Sequence, residues 1–251
     1  RVRFHAGSSE LAPGLSVLVL NADDQWCVAM AQRIAPGADL IWFSLDAANP
    51  VMRAHIDGGG QAVFLDGGDI VRARGHNTAV VAAAADIPCT LDGLARYNIA
   101  NSMAAAAALL GAGYGIEAIA AGLCSFVSDA RSNPLRTNVF RVRGFTVIVD
   151  YAHNPAAYAA LAEMARAMTS GAVVGVVTSQ GDRQDEELRH TGRACGEGFD
   201  KLVVYESASR GRPYGEAARL IREGALAASA DPAGVEGEDN RLLALRRALA
   251  L

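Results

Sequence analysis

Residues 150–155 read Asp-Tyr-Ala-His-Asn-Pro, and they indicate how the second half of the chain folds. The apolar run Phe145–Val149 comes directly before them and is typical of a buried parallel strand. The Asn-Pro pair suits a helix N-cap and a first helical position, so a helix is predicted to begin there. Asp150 and His153 are therefore predicted to lie where open α/β sheets bind ligands. A well-capped turn whose polar groups only satisfy the backbone is the alternative.

Strand and helix patterns alternate on both sides of this turn. The predicted strands are Val139–Val142, Phe145–Val149, Ala172–Thr178 and Lys201–Tyr205. The predicted helices are Pro155–Met168, Asp185–Cys195, Tyr214–Ala227 and Asn240–Leu251. Such alternation predicts a mostly parallel sheet that is covered on both faces. No strand is predicted after the last helix, so we expect this domain to be cut short at its end.

The first half of the chain has a different pattern. Its predicted strands are Ser16–Leu20, Leu40–Ser44, Ala62–Leu65 and Asp69–Ala73, and its predicted helices are Gln25–Ile34, Pro50–Ile56, Asn98–Leu110 and Gly115–Phe126. The tetrad Asp66–Asp69 reads Asp-Gly-Gly-Asp and predicts a hairpin turn. A polar break at Ser128–Pro134 predicts a boundary between two domains, residues 1–130 and 131–251.

Composition narrows the class of protein. The chain has 251 residues, is 51% hydrophobic and 20% charged, and carries a formal net charge of −4. These values are ordinary for a soluble enzyme, which we expect in the cytoplasm, and the net charge gives no sign of nucleic-acid binding. The longest apolar tract, Met103–Leu110, is too short to cross a bilayer. The four cysteines are scattered, which predicts buried free thiols in a reducing compartment and no metal site. Because the chain begins with Arg1, we expect it to be part of a longer protein.

Two polar loops of the second half could meet an anion or a charged ligand. Arg136 lies in the loop before the first short strand, where a guanidinium could bind phosphate bidentately or be an ordinary surface group. The loop Gly181–Glu187 follows a predicted strand and offers the opposite charges of Asp182 and Arg183. Its later acidic residues are typical of a solvated first helical turn.

The loop Glu206–Glu216 mixes carboxylates with Arg210 and Arg212 around a glycine. This mixture suits a zwitterionic small substrate, and a structural cluster of ion pairs is the alternative. In the first half, Asn98 and Asn101 are three residues apart and share one helix face. Two carboxamides presented together can bind an adenine edge, although one of them could instead cap the helix.

These motifs, taken in order, resemble the Mur ligase superfamily. The resemblance rests on the Asn98 and Asn101 pair, the Pro-Leu-Arg loop that ends at Arg136, the Asp150–Pro155 turn and the later Gly-Asp-Arg and Arg-Gly-Arg motifs. Within the superfamily, the chain looks most like the C-terminal half of the cyanophycin synthetases. The implied fold is α/β, with a partial central ATPase domain (1–130, lacking the P-loop) followed by a Rossmann-like C-terminal Mur ligase domain (131–251).

The resemblance implies an ATP-dependent amide ligase. A carboxylate is phosphorylated by ATP, and an amine then displaces the phosphate; in the cyanophycin synthetases, arginine is joined to aspartate side chains of poly-aspartate. The implied nucleotide-binding residues are Asn98, Asn101, Arg136, Asp150 and His153, of which Arg136 and His153 also take part in catalysis. The implied residues around the incoming amino acid are Asp182, Arg183, Glu206, Arg210 and Arg212.

The chain also departs from the family pattern. The family's phosphate loop, magnesium-binding residues and modified lysine would precede Arg1, so magnesium is implied without ligands in this chain. The family's Pro-Gly-Arg is Pro134-Leu135-Arg136 here. Without a phosphate cradle, acyl phosphate formation loses its main electrostatic stabilisation, so we expect this chain alone to be inactive. A homo-oligomer is compatible with the sequence, although nothing in it demands one.

The sequence is also compatible with two other functions. One is a Mur-type ligase that acts on a cell-wall peptide or a folate and adds a different amino acid. The other is a non-catalytic module that binds a nucleotide or an amino acid. The loop Glu206–Glu216 is the sequence feature that would distinguish the ligases from one another.

Overall fold

A computed structural model of the chain describes residues 17–34 and 38–251. It divides between Val127 and Ser128 into two compact units, the N-terminal unit and the C-terminal unit, and each is described by itself. Within the described residues, no helix is long and apolar enough to cross a membrane. All four cysteines are free, and Cys124 is exposed, so the expectation that every thiol is buried is wrong for that residue.

The N-terminal unit is built on a five-stranded sheet in the order β1-β2-β3-β4-β5. The strands are β1 (Val17–Asn21), β2 (Asp39–Ser44), β3 (Gln61–Asp66), β4 (Asp69–Arg74) and β5 (Asn77–Ala83). The first three strands are parallel, and the last three form antiparallel hairpins. The predicted turn at Asp66–Asp69 is confirmed, since these two residues pair across the β3–β4 hairpin. Ser16, the start of the first predicted strand, lies outside the described residues.

Helices cover both faces of this sheet. They are α1 (Gln25–Ala31), α2 (Pro50–Asp57), α3 (Arg96–Gly111) and α4 (Ile116–Ser125). Successive strand residues point to opposite faces, so Ile41 packs in the core beneath α3 and α4 whereas its neighbour Trp42 packs in the core beneath α1 and α2. The side chains of Asp24 and Asn49 accept hydrogen bonds from the first backbone amides of α1 and α2, which fixes where these helices begin.

The C-terminal unit contains a two-stranded hairpin and a three-stranded parallel sheet. The hairpin is β6 (Asn138–Val142) and β7 (Phe145–Val149), and the sheet has the order β10-β9-β8. The sheet strands are β8 (Val174–Val177), β9 (Lys201–Tyr205) and β10 (Val235–Glu238). The helices are α5 (Pro155–Ala167), α6 (Asp185–Gly198), α7 (Glu216–Ala228) and α8 (Arg241–Ala248). This arrangement confirms the predicted alternation.

The prediction that Phe145–Val149 is a buried parallel strand is wrong. In the described part of the chain, β7 pairs antiparallel with β6, and none of its five residues is fully buried. The connection through Arg143 and Gly144 has positive φ at both residues, a geometry that folds the chain straight back on itself. The short strand β10 was not predicted, because its sequence Val-Glu-Gly-Glu carries no apolar run.

Helices α6 and α7 pack with their backbones unusually close together. An added Cβ at Gly192 would lie 1.9 Å from the carbonyl oxygen of Ile221, and one at Gly224 would lie 2.0 Å from that of Arg189. Real Cβ atoms do not approach a backbone oxygen this closely. The two glycines therefore set the distance between the helices, and with it the positions of the loops that precede both helices.

Candidate functional site

The turn predicted to carry chemistry joins β7 to α5. β7 ends at Val149, Asp150 follows it, and the Asn154 side chain accepts a hydrogen bond from the Ala157 amide at 2.9 Å as α5 begins. The predicted N-cap is therefore confirmed. Asp150 and His153 lie in the turn between strand and helix, as the sequence indicates.

The hairpin brings the Arg136 loop to this turn, because Asn138 at the start of β6 pairs with Val149 at the end of β7. The Thr137 amide and hydroxyl both donate to Oδ2 of Asp150, at 2.8 and 3.0 Å. The guanidinium carbon of Arg136 lies 5.6 Å from the centre of the Tyr151 ring, within cation–π range. Arg136 remains exposed. The structure thus places an accessible cation over Tyr151, in the same turn as the carboxylate of Asp150 that Thr137 anchors.

His153 is oriented by its own turn. Its Nδ1 lies 3.0 Å from the Tyr151 carbonyl oxygen, and its ring meets the Tyr151 ring edge-on. A carbonyl only accepts, so this contact requires the proton on Nδ1 and leaves Nε2 as the basic nitrogen of the neutral ring. The Ser179 hydroxyl donates to the His153 carbonyl at 3.3 Å, which connects the turn to the end of β8.

The two charged loops of the C-terminal unit follow β8 and β9, which are neighbours in the sheet. Gln180 and Ala208 form an isolated parallel bridge, and the Gly181 amide donates to the Ala208 carbonyl at 3.0 Å. An added Cβ at Gly181 would lie 2.0 Å from the Ser209 carbonyl oxygen, so only glycine fits here. We call residues 179–185 and 206–216 together the loop pair.

Asp182 and Arg210 form an ion pair across the loop pair. Nη1 of Arg210 donates to Oδ2 of Asp182 at 2.9 Å, and both side chains are about half exposed. This hydrogen bond lowers the pKa of the Asp182 carboxyl below its ordinary value. Nη1 of Arg183 pairs with Oε1 of Glu187, in the first turn of α6, at 3.2 Å.

Arg212 faces into the loop pair and is mostly buried. Nε donates to the Gly181 carbonyl at 2.8 Å, and Nη2 donates to the Arg183 carbonyl at 2.9 Å. Nη1 lies 2.8 Å from Oδ1 of Asp185 and 3.5 Å from Oε1 of Glu216. Each of its three nitrogens therefore contacts a protein oxygen.

Glu206 directly follows β9, and its side chain reaches the start of α7. It is buried, with 5% of its surface exposed. Its Oε2 accepts a hydrogen bond from the Ala218 amide at 3.1 Å, within the first turn of the helix, where a negative charge is favourable. Its Oε1 is also buried and has no hydrogen-bond partner among the described residues. Glu206, the first residue of the second loop, thus retains one buried acceptor that no described residue uses.

The asparagine pair lies in the first two turns of α3. The helix begins at Arg96, so neither asparagine is its N-cap and the capping interpretation is wrong. Nδ2 of Asn98 donates to the Cys89 carbonyl at 2.7 Å, while Oδ1 of Asn98 accepts from Asn101 at 3.2 Å. Asn98 is thus occupied by protein contacts, whereas Asn101 is exposed.

Sequence reasoning missed the roles of Thr137 and Tyr151. Thr137 is 5% exposed and has a φ of 53°, a conformation uncommon for a residue with a side chain. Tyr151 belongs to the predicted turn but received no role. The position of Thr137 directly after Arg136 was the available signal. Among the described residues, no group of three or more His, Cys, Asp or Glu could hold a metal ion.

Comparison with protein families gives a match over most of the C-terminal unit. The Mur ligase, glutamate ligase domain family matches residues 135–251. A cyanophycin synthetase from Nostoc sp. is 39% identical over 207 residues, which is 82% of this chain and 23% of that protein. A UDP-N-acetylmuramoyl-L-alanyl-D-glutamate–2,6-diaminopimelate ligase from Gloeobacter violaceus is 33% identical over 74% of this chain and 34% of its own length. The chain spans about a quarter of the cyanophycin synthetases that it matches.

Solved structures share the fold at low sequence identity. A UDP-N-acetylmuramoylalanyl-D-glutamyl-2,6-diaminopimelate–D-alanyl-D-alanyl ligase from Acinetobacter baumannii has a TM-score of 0.58 and 17% identity, covering 94% of this chain and 45% of the other. A Mycobacterium tuberculosis folylpolyglutamate synthase complexed with ADP and AMPPCP has a TM-score of 0.54 and 18% identity, covering 94% of this chain and 57% of the other.

Proposed function

The chain belongs to the Mur ligase family through its residues 135–251, and we propose that the natural protein is an ATP-dependent ligase that joins a carboxylate to the amine of an amino acid. The observation that carries this proposal is the grouping of Arg136, Asp150 and His153 around one strand end. An exposed guanidinium there suits phosphate, and the loop pair of the same unit suits a small zwitterion.

The proposed reaction has two steps. A carboxylate oxygen of the acceptor attacks the γ-phosphorus of ATP, which gives an acyl phosphate and ADP. The amine nitrogen of the amino acid then attacks the acyl carbon, and the tetrahedral intermediate collapses to the amide with release of phosphate. Arg136 would hold the phosphoryl oxygens, and Nε2 of His153 is a candidate acceptor for the proton that the amine loses.

The residues of each unit fit parts of this reaction. In the N-terminal unit, the exposed carboxamide of Asn101 suits an adenine base, and its bond to Oδ1 of Asn98 orients it. In the C-terminal unit, Asp150 holds the Arg136 loop, which suits a phosphate. The fit does not extend to magnesium, because the described residues hold no carboxylate cluster for it.

We further propose arginine as the incoming amino acid and poly-aspartate as the acceptor. Two observations support this: relatives named cyanophycin synthetase are 35–39% identical over 82–83% of the chain, and the loop pair holds both signs of charge. Arginine needs a carboxylate for its guanidinium and a cation for its α-carboxylate. Asp182, Arg183, Glu206 and Arg210 are the candidates that line this loop pair.

A second candidate amino acid is diaminopimelate. The Gloeobacter violaceus ligase, 33% identical over 74% of the chain, favours it. Calorimetry on the full natural chain with arginine, diaminopimelate, lysine and glutamate separates the two. ATP-dependent phosphate release with poly-aspartate and arginine is the expected result. Binding of diaminopimelate with no binding of arginine would instead identify a cell-wall ligase, and binding of no amino acid would leave a non-catalytic module.

The asparagine pair gives a prediction about the nucleotide. Asn101→Ala is expected to weaken ATP binding about tenfold through the loss of one hydrogen bond, with little change in stability because the residue is exposed. Asn98→Ala is expected to lower the free energy of unfolding by about 1–2 kcal/mol, because the Cys89 carbonyl loses its donor. Calorimetric titration with ATP and urea denaturation measure the two effects. Equal loss of stability in both variants would contradict the division of roles.

A further inference from the structure

Arg212 has the contacts of a structural clamp. The two carbonyls that it binds belong to Gly181 and Arg183, the residues on either side of Asp182. Its third nitrogen contacts Asp185 and Glu216, the first residues of α6 and α7. One side chain therefore joins the two halves of the loop pair at three points, and its fourth contact, with Glu216, lies within its own half.

We propose that Arg212 is a positioning residue that fixes Asp182 for the incoming amino acid, and that it does not itself contact that amino acid. The inference rests on the proposed function. It assigns different roles to two arginines of one motif, which the sequence alone treats alike.

Exposure separates the two arginines. The Arg212 side chain is 18% exposed, whereas that of Arg210 is 48% exposed. A ligand carboxylate that reached Arg212 would have to displace existing contacts. At Nε and Nη2 these are hydrogen bonds to two backbone carbonyls, which would be left without partners, and at Nη1 they are ion pairs with Asp185 and Glu216. Arg210 has one carboxylate partner, Asp182, and that partner is equally open to solvent.

The ion pair of Asp182 and Arg210 has the charges that a zwitterionic amino acid needs. A cationic group of the ligand can pair with Asp182 while its carboxylate pairs with Arg210, so that the ligand exchanges one ion pair for two. This exchange requires both side chains to stay in place when their mutual contact opens. Backbone contacts hold Arg210 through the turn in which the Arg212 amide donates to the Ser209 carbonyl, and the Arg212 side chain holds the backbone of Asp182.

Hydrogen exchange without ligand tests the clamp in the full natural chain. The amides of Gly181 and Arg183 are protected by bonds to the carbonyls of Ala208 and Gln180. In Arg212→Gln, exchange at these two amides is expected to be about tenfold faster, since the loop opens more often. The matched control is Arg219→Gln, which removes the same charge from an exposed arginine that pairs with Glu216 and Glu223 on α7. It is expected to leave both amides unchanged.

Steady-state kinetics tests whether the contacts of Arg212 support binding of the amino acid. Arg212→Gln is expected to raise KM for the amino acid about tenfold, with KM for ATP and kcat within about twofold. Arg210→Gln is expected to raise the same KM without faster exchange at Gly181. If Arg212→Gln does not fold, Arg212→Lys keeps the charge, reaches fewer carbonyls, and is expected to show the same changes at smaller size.

Three outcomes overturn the inference in distinguishable ways. Unchanged exchange in Arg212→Gln with a raised KM identifies Arg212 as a direct ligand of the amino acid. Faster exchange with an unchanged KM for the amino acid shows that the contacts of Arg212 hold the loop but do not affect binding of the amino acid. Faster exchange in a protein that uses no amino acid at all overturns the proposed function, while the clamp itself remains.

Discussion

Replacing Gly192 with alanine is expected to lower the free energy of unfolding of the C-terminal unit by about 2 kcal/mol or more. The new Cβ would lie 1.9 Å from the Ile221 carbonyl oxygen and 2.9 Å from the Ala225 nitrogen, both of them backbone atoms of α7. Neither can rotate away, so the helices must separate. Overpacking of this kind costs about 3 kcal/mol, whereas the intrinsic helix preference for alanine over glycine returns only about 1 kcal/mol.

The chain offers a matched control, and its tryptophans are a probe for the N-terminal unit. Gly122 lies in α4 with no atom within 4 Å of an added Cβ, so Gly122→Ala is expected to raise stability by up to about 1 kcal/mol. Both tryptophans, Trp26 and Trp42, belong to the N-terminal unit. In urea, Gly192→Ala should therefore shift the circular dichroism transition without shifting tryptophan fluorescence, and Gly122→Ala should shift the fluorescence. Stabilisation by Gly192→Ala would show that α6 and α7 are not held at this distance.

Local sequence signals predicted the elements of the fold except β5 and β10, but not how the strands pair. Strand–helix alternation and the capped start of α5 were correct because propensity and capping act within a few residues. The partner of β7 was not predictable from its apolar run, since a buried parallel strand and one arm of a hairpin have the same composition. The close packing at Gly192 was equally hidden, because a glycine inside a helix otherwise indicates only a weaker helix.

The candidate site was predictable to the level of loops. The ends of β7, β8 and β9 were expected to carry the polar groups, and the structure brings the Arg136 loop to Asp150 through Thr137 and Asp182 to Arg210. The individual roles of the arginines were not predictable. An arginine side chain is long enough to face solvent or to fold back on carbonyls, and only the positions of distant backbone atoms decide between the two.

Arg136→Gln is expected to lower kcat of the full natural chain about 10²-fold, if this guanidinium holds the transferred phosphoryl group. A neutral amide cannot replace a charge-assisted contact to phosphate, and the loss falls on the transition state, where charge develops. Stability should change little, since Arg136 is exposed and its contact with the Tyr151 ring is worth about 1 kcal/mol or less at such a site. ADP release in the presence of acceptor and amino acid measures the effect.

Arg141→Gln is the control that separates catalysis from general charge. Arg141 lies on β6 of the same hairpin, is exposed, and donates to the Thr146 hydroxyl at 2.9 Å rather than facing the turn after β7. Arg141→Gln removes one positive charge near the same hairpin, as Arg136→Gln does, so the kcat of the Arg141→Gln variant should remain within about twofold of that of the unmodified protein. Equal losses in the two variants would mean that the hairpin acts only through its net charge. A full loss confined to Arg136→Gln, with an unchanged urea midpoint, requires a specific contact at the carboxyl end of β7.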